Sequence, residues 1–321
     1  MKKIISFAIV ILLFSCKNVI KTESNEDFLM SENIRFDVPN VNSNLTITTK
    51  EDLLGYWVGQ SVVDDKKALK KIILEEDEFS TNDYEYSKKI TFSIDKISGS
   101  EIMGHSIIGG NIKKFKGKLT ETSLGFEINT QELANKKLVG DFSLIIKLKD
   151  SLLIGTNILY NKEGNVDSKY KLKLTKKIFT YNQNNNVERH YVDFQKSIIK
   201  KIEYEAEDSI GNPIKEVYDD EQFYTTTDTL YSINPSTELL KKELVENLSK
   251  GDVFILRNLI FARHGYVFKD KTLRRFFDFH SWYMPVFFDV NKDLTKIEKK
   301  NVALLLRYEQ NAKEYYQHFG R

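Results

Sequence analysis

Apolar and polar residues alternate one by one along much of the first half of the chain. The alternation is clearest in segments 90–94, 142–148 and 170–174, where every second residue is Ile, Leu, Phe or Tyr. A strand places successive side chains on opposite faces, so this pattern indicates strands with one buried and one solvated face. Such strands are typical of antiparallel sheets.

Turn residues separate these predicted strands. Gly, Ser and Asn cluster at 98–100, 109–111 and 161–165, and these residue types dominate tight turns. Several short strands at this spacing predict an antiparallel β-barrel-like domain, or a β-sandwich, over residues 51–180.

The predicted β domain begins with Leu53-Leu54-Gly55-Tyr56-Trp57-Val58-Gly59. This segment resembles the Gly-x-Trp start of lipocalin-like barrels, and the resemblance implies that Trp57 plugs one end of the barrel. We therefore expect Trp57 in the core. An eight-stranded barrel is either filled by side chains or holds one small ligand, and the sequence leaves both alternatives open.

The pattern changes after the Asn-rich run at 182–186. Residues 181–235 are ambiguous, and we interpret them as a connector with possible strands. From residue 236 onward the apolar spacing is helical, which predicts a small all-α domain over 236–321. The whole chain is therefore predicted to be an α+β protein with an N-terminal β domain and a C-terminal helical domain.

One helix of the C-terminal domain has clear start and stop signals. Ser249 and Asp252 resemble a capping box, and the helix is predicted to run from there to about Arg263. Gly265 fits the left-handed position just past a helix end. Two further helices are predicted, one at 271–279 after a cap at Asp270 and one that begins at about Asp293 or Thr295.

The end of the first helix resembles the motif that names the YARHG domain, a small bacterial module. The residues that carry the resemblance are Leu256-Arg257-Asn258, Phe261-Ala262-Arg263-His264-Gly265-Tyr266, Phe268, Leu273, Phe276, Trp282-Tyr283, Glu298 and Asn301. Phe261 stands where the motif has Tyr, so a hydroxyl is lost and the ring is kept. The resemblance implies an extracytoplasmic module that accompanies varied partners, and it implies no catalytic activity.

Five residues of this module are candidates for ligand binding: Arg257, Arg263, His264, Trp282 and Tyr283. Arg recognises carboxylates with a bidentate fork, and the two aromatic residues would form a stacking wall for a glycan. The alternative is structural. In that interpretation Arg263 and His264 tie helix ends together through carbonyls or through carboxylates such as Asp278 and Glu298, because buried charges need partners.

The N-terminus predicts export and lipidation. A basic start precedes an apolar run, Ile4–Phe14, that is too short to span a bilayer and is typical of a signal peptide over 1–15. Leu13-Phe14-Ser15-Cys16 resembles the bacterial lipobox, which implies a diacylated Cys16 as the mature N-terminus. Cys16 is the chain's single cysteine. Residues 16–50 are predicted to form a flexible tether, and a lipid-anchored, extracytoplasmic place in the envelope is expected, with the outer membrane favoured.

Charge and residue types narrow the function further. The net charge is +2, which is not the basic surplus of a nucleic-acid-binding protein. No His-Glu-x-x-His zinc motif or phosphate-binding glycine loop occurs in the sequence. Gly104-His105-Ser106 is followed by Gly109, one residue too late for a nucleophile elbow. We therefore assign no catalytic residue, metal site or cofactor.

The leading hypothesis is a membrane-anchored envelope lipoprotein that acts by binding, with cell-wall glycan or an envelope protein as its partner. One alternative is an envelope hydrolase with an unrecognised carboxylate and histidine site, perhaps including His264. Another is a small-molecule carrier in the barrel, which an apolar cavity behind Trp57 would favour.

Overall fold

A computed structural model describes residues 46–64, 87–134 and 137–311, all within one compact unit, Arg35–Arg321. The predicted signal peptide and Cys16 lie outside these described residues. The strands are β1 Gly55–Val63, β2 Ser87–Ser98, β3 Glu101–Ile108, β4 Asn111–Thr122, β5 Gly125–Ala134, β6 Lys137–Lys147, β7 Leu152–Tyr160, β8 Val166–Lys177, β9 Val192–Glu207 and β10 Pro213–Thr225. The helices are α1 Thr229–Ser232, α2 Lys242–Val245, α3 Lys250–Arg263, α4 Lys271–Phe277 and α5 Lys296–Asn311, and a 3₁₀ turn spans Glu51–Leu53.

Strands β1 to β8 form a closed antiparallel barrel in sequence order, with β1 paired to β8. The predicted antiparallel β domain is confirmed, and its architecture is the barrel rather than the sandwich. The alternating segments on β2, β6 and β8 direct their apolar residues into the barrel. Leu148 is the exception, because β6 ends at Lys147 and the chain turns through Lys149, whose φ is +63°.

Aromatic and aliphatic side chains fill one end and the middle of the barrel. Phe92 stacks on Phe115 with 4.3 Å between ring centroids, and Phe142 meets Phe92 edge-on at 5.0 Å. Trp57 is fully buried among the core residues, and its Nε1 donates to the Leu53 carbonyl oxygen at 2.9 Å. The expectation that Trp57 belongs to the core is confirmed. Trp57 belongs to one buried cluster with the other apolar side chains of the barrel interior.

The chain just before β1 also packs against this filled end. Ile47 is completely buried in the barrel core. Its backbone N–H donates to Asp150, and its carbonyl oxygen accepts from Lys149. The last residues of the predicted tether are therefore part of the fold.

The opposite end of the barrel is polar inside. The inward positions there are occupied by Ser61, Ser106, Glu132 and Asn157, all of them buried. The barrel interior is thus divided along its axis into an apolar half and a polar half.

Strands β9 and β10 pair with each other and form a separate two-stranded ribbon. The ribbon lies in the predicted connector, and its turn falls at Gly211, whose φ is +85°. Several large apolar side chains on it are exposed, including Phe194, Ile199 and Val217.

The helical module comprises α1 to α5 and encloses its own apolar core. The capping box predicted at the start of α3 is present: Ser249 accepts from the Asp252 N–H, and Asp252 accepts from the Ser249 N–H. Asp270 caps α4 as predicted. Helix α4 is shorter than expected because it ends at Phe277, and Phe279 is largely exposed beyond that end.

A buried contact joins the outer wall of the barrel to the helical module. Lys89 on β2 donates from Nζ to the carbonyl oxygens of His280 at 2.7 Å and Tyr283 at 2.8 Å. Thr91, two residues further along the same strand, donates to the Pro285 carbonyl oxygen at 2.8 Å. Beside them, Tyr56 and Val58 of β1 pack on a small apolar cluster with Met284 and Val286.

Across residues 46–64, 87–134 and 137–311, no helix has both the length and the apolar character needed to cross a membrane.

Candidate binding site on the helical module

The last turn of α3 presents the Phe-Ala-Arg-His-Gly motif to the centre of the helical module. Residues 253, 255, 256 and 258 of this helix are buried at well-separated angles around its axis, so α3 is held on most of its circumference. Gly265 follows with a φ of +73°. A Cβ at this position would lie 2.6 Å from the Phe179 ring and 2.9 Å from Val286. The motif therefore needs glycine both for its backbone angle and for space.

Arg263 is buried and holds three segments together. Its Nε donates to the Asn185 carbonyl oxygen at 2.6 Å. Its Nη1 donates to the Asn234 side-chain oxygen at 2.7 Å and to the Ser236 hydroxyl at 2.9 Å. Burial lowers the pKa of Arg263 to about 10, an effect opposed by the nearby Tyr181 and Glu298. Arg263 remains cationic near neutral pH and joins α3 to the chain on both sides of the ribbon.

His264 forms a buried pair with Glu298, whose carboxylate oxygen lies 2.9 Å from the histidine Nε2. The Tyr181 ring stacks on the imidazole at 4.2 Å between centroids, and its hydroxyl donates to Glu298 at 2.9 Å. Glu298 also caps α5, because it accepts from the Thr295 N–H while Thr295 Oγ1 accepts from the Glu298 N–H. His264 therefore links the end of α3 to the start of α5.

The Glu298 carboxylate has a strongly lowered pKa. Burial alone would raise this pKa, but the hydrogen bonds from His264, Thr295 and Ser236 outweigh burial and lower it to about 2. A carboxylate that accepts several hydrogen bonds is stabilised in its charged form. This group is therefore an ionised structural acceptor near neutral pH.

Arg257 lies on another face of α3 and pairs with α5. Its Nε donates to Glu309 at 2.7 Å and its Nη2 donates to the second oxygen at 3.0 Å, a bidentate fork. Both side chains are 19% exposed. Arg257 is thus the most accessible of the three basic candidates.

Trp282 and Tyr283 form the aromatic corner after α4 but do not share one open face. Trp282 is half-buried and donates from Nε1 to the Asn186 carbonyl oxygen at 2.7 Å. Tyr283 is buried and donates from its hydroxyl to the Tyr266 carbonyl oxygen at 2.6 Å. The two rings meet nearly at right angles, 6.2 Å apart.

The five candidate residues therefore fall into two groups. Arg263, His264 and Tyr283 lie inside the module, and Arg263 and His264 have contacts of the kind that the structural interpretation names. Arg257 and Trp282 are partly exposed, at different places. Ligand binding by any of the five stays a prediction.

A groove beside the motif contains residues that the sequence did not suggest as ligand contacts. It has a volume of about 470 Å³ and lies along α3, bounded by the segments after α3 and before α5. The rings of Phe261 and Tyr266, 5.9 Å apart, form one wall. Arg257, Asp289 and Asn291 supply charged and amide groups at its edge. Asn291 donates from N and Nδ2 to Asp289, which fixes that loop.

Helical spacing was the signal that could have revealed part of this groove. Residues 254, 257, 258 and 261 recur at intervals of three and four, so they share one face of α3. All four line the groove. The loop residues of the opposite wall have no such pattern, because only the folded chain brings them beside α3.

No group of three or more His, Cys, Asp or Glu side chains within the described residues is placed to hold a metal ion.

Comparison with known proteins supports the family resemblance for this region. Residues 230–310 match the YARHG domain family, which is about a quarter of the chain. No curated protein and no solved structure matches the chain. The C-terminal helical region thus matches this family, whose members are modules of extracellular or periplasmic type, and we refer to the region below as the YARHG domain.

Proposed function

We propose that this protein is a lipid-anchored lipoprotein of the bacterial cell envelope and that it acts by binding cell-wall glycan through the groove of its YARHG domain. The extracellular or periplasmic type of that domain supports an envelope location. The predicted signal peptide and the lipobox-like residues that end at Cys16 support the anchor. Two acyl chains make a membrane anchor stable, whereas one gives only marginal binding. The outer membrane remains the favoured site.

The chemistry of the groove is the observation that carries the binding role. Sugar rings have apolar faces and hydroxyl-rich edges, so they need flat aromatic surfaces together with amide and charged groups. The groove combines the half-exposed rings of Phe261 and Tyr266 with Arg257, Asp289 and Asn291. Its volume of about 470 Å³ lies within the usual range for ligand sites, roughly 300–1,000 Å³.

Retention on purified cell-wall sacculi tests the binding role. We expect the full chain to cosediment with sacculi and Phe261→Ser to lose most of that retention, because the substitution removes a ring from the groove wall. Phe194→Ser is the matched control, since Phe194 is a partly exposed ring on the ribbon, outside the groove. Equal retention of wild type and Phe261→Ser, or no retention of the wild type, would reject this role. Capture of an envelope protein in place of sacculi would favour the other predicted partner.

Metabolic labelling with a fatty acid tests the anchor separately. We expect label on the wild-type chain in the membrane fraction and none on Cys16→Ser, which would accumulate as a soluble or unprocessed precursor. A Cys16→Ser chain that stays in the membrane fraction would contradict lipidation at this residue, whatever the outcome with sacculi.

The hydrolase alternative receives no comparable support from the motif. His264 and Glu298 form a closed pair with exposed side-chain fractions of only 6% and 0%, and Tyr181 covers the imidazole. The small-molecule carrier alternative concerns the interior of the barrel. Buried core side chains surround Trp57, whereas the polar mouth at the opposite end contains a cavity.

A further inference from the structure

We propose that the mouth of the barrel binds a small hydroxylated organic anion, of the class of the hexuronic acids. A cavity of about 390 Å³ opens there, between the inner ends of the strands and helix α4 of the YARHG domain. Its size is that of a small-molecule site. This site is separate from the groove, so the proposal goes beyond the glycan-binding role.

Buried hydrogen-bonding groups form the inner wall of this cavity. Glu132 is 1% exposed and accepts a hydrogen bond from the Ser106 hydroxyl. Its second oxygen lies 3.3 Å from Lys113 Nζ. A buried carboxylate with both oxygens in polar contacts is a fixed feature of the wall, and its environment gives the cavity a polar lining.

Asn157 supplies an unused acceptor in the same wall. It is 1% exposed, and its Oδ1 has no hydrogen-bond partner among the described residues. A buried acceptor that is left unsatisfied destabilises the folded chain. A ligand hydroxyl in the cavity would donate to this oxygen. The amide therefore points to a ligand that carries hydrogen-bond donors.

The rim of the cavity is cationic. Lys88 and Lys113 come from the barrel, and Lys271 and Arg274 come from α4. With Glu132, the lining thus has four basic side chains against one acidic side chain. This excess favours an anionic group on the ligand near the rim. Tyr170, half-buried on β8, adds an aromatic surface for a ring.

The three observations define the ligand class together. The amide of Asn157 requires a donor, the rim favours one negative charge, and the tyrosine accommodates a compact ring. A monosaccharide that carries a carboxylate has all three features. A free sugar acid and the acidic end of a glycan share this chemistry.

Calorimetric titration of the full chain with glucuronate tests the proposal. Glucose supplies the ring without the charge, and acetate supplies the charge without the ring. We expect glucuronate to bind at least tenfold more tightly than either. Glucuronate binding no tighter than acetate binding, or undetectable binding, would overturn the proposal. Methyl glucuronide distinguishes a free sugar acid from the acidic end of a glycan. An affinity equal to that of glucuronate identifies a glycan end, and a loss of affinity identifies a free acid. Both results support the site.

Two variants locate the binding. Asn157→Leu is expected to weaken glucuronate binding at least tenfold, while Asn129→Leu, on the outer face of the barrel, leaves it unchanged. Lys271→Gln changes an exposed side chain of α4 and keeps the test valid if Asn157→Leu fails to fold. We expect it to reduce the preference for glucuronate over glucose severalfold. Wild-type affinity in Asn157→Leu, or an unchanged preference in Lys271→Gln, would contradict the assignment.

Discussion

Two groups of buried polar residues in this protein differ in how completely they are hydrogen-bonded. In the YARHG domain, Arg263 donates to three oxygens and Glu298 accepts from His264, Tyr181 and Thr295. In the barrel mouth, the buried Asn157 Oδ1 has no partner among the described residues. A fully hydrogen-bonded network of buried groups fixes the local structure, whereas a buried group without a partner can still form a hydrogen bond to a ligand.

The comparison teaches that the most recognisable motif is not, by itself, evidence of a binding surface. The Arg-His pair joins α3 to α5 and to the chain around residues 185 and 234. Its side chains fix the shape of the module, and the groove beside them is available for contact. Substitutions in the first group should therefore affect stability, and substitutions in the second should affect ligand binding.

Arg263→Ala should have the largest effect on stability. It leaves buried carbonyl and hydroxyl oxygens without their donor, and breaking such a buried charged contact costs about 3–5 kcal/mol. The free energy of unfolding in urea measures this loss. Arg307→Ala, an exposed arginine on α5, is the control and should stay within about 0.5 kcal/mol. If Arg263→Ala lost as little stability as Arg307→Ala, the buried contacts of Arg263 would not have the structural role assigned to them.

Acid should destabilise the YARHG domain through Glu298. The folded pKa is about 2 against an ordinary value of 4.5, so the unfolded chain binds the proton first as pH falls. The stability from this group is complete above pH 4.5 and is lost between about 4.5 and 2. Urea unfolding at several pH values should show the decrease, and Glu298→Gln should be less stable at pH 7 with a shallower slope. An identical slope in the variant would exclude Glu298 as the source.

Gly265→Ala and Gly251→Ala form a matched pair at the two ends of α3. The first should destabilise by about 1–3 kcal/mol, because it places a Cβ on a strained backbone angle and against Phe179. Gly251 lies in the first turn, and the nearest atom to an added Cβ is 3.5 Å away. Alanine there should be neutral or stabilise by up to about 1 kcal/mol. Thermal unfolding of both variants measures the difference, and equal effects would contradict the role of Gly265.

Lys89 should give a second pH dependence of stability, on the alkaline side. Burial lowers its pKa from 10.5 to about 8, although Asp278 opposes the shift. The folded chain therefore releases this proton before the unfolded chain does, so stability should rise between pH 8 and 10. In Lys89→Met this rise should be absent. A rise of the same size in the variant would assign it to other groups.

The sequence predicted the elements more fully than the sites. Strand alternation identified the barrel because Ile90, Phe92 and Ile94 face its interior, and capping residues identified both ends of α3. The alternation could not reveal the polar mouth. Ser106, Glu132 and Asn157 lie on three strands that are distant in sequence, and only barrel closure brings them to one end. The sequence also suggested Glu298, beside Asp278, as a carboxylate partner for the Arg-His pair, because buried charges need partners, and Glu298 is the carboxylate that pairs with His264.

The β9–β10 ribbon gives the molecule a mechanical connection to its helical domain. Directly after β10, the Thr226 N–H donates to the Tyr191 carbonyl oxygen, and the Thr227 N–H donates to Asp252 at 2.7 Å. Asp252 is the residue that closes the cap of α3. A force applied to the tip of the ribbon would therefore be transmitted through Thr227 to Asp252, and it would act on the first turn of α3.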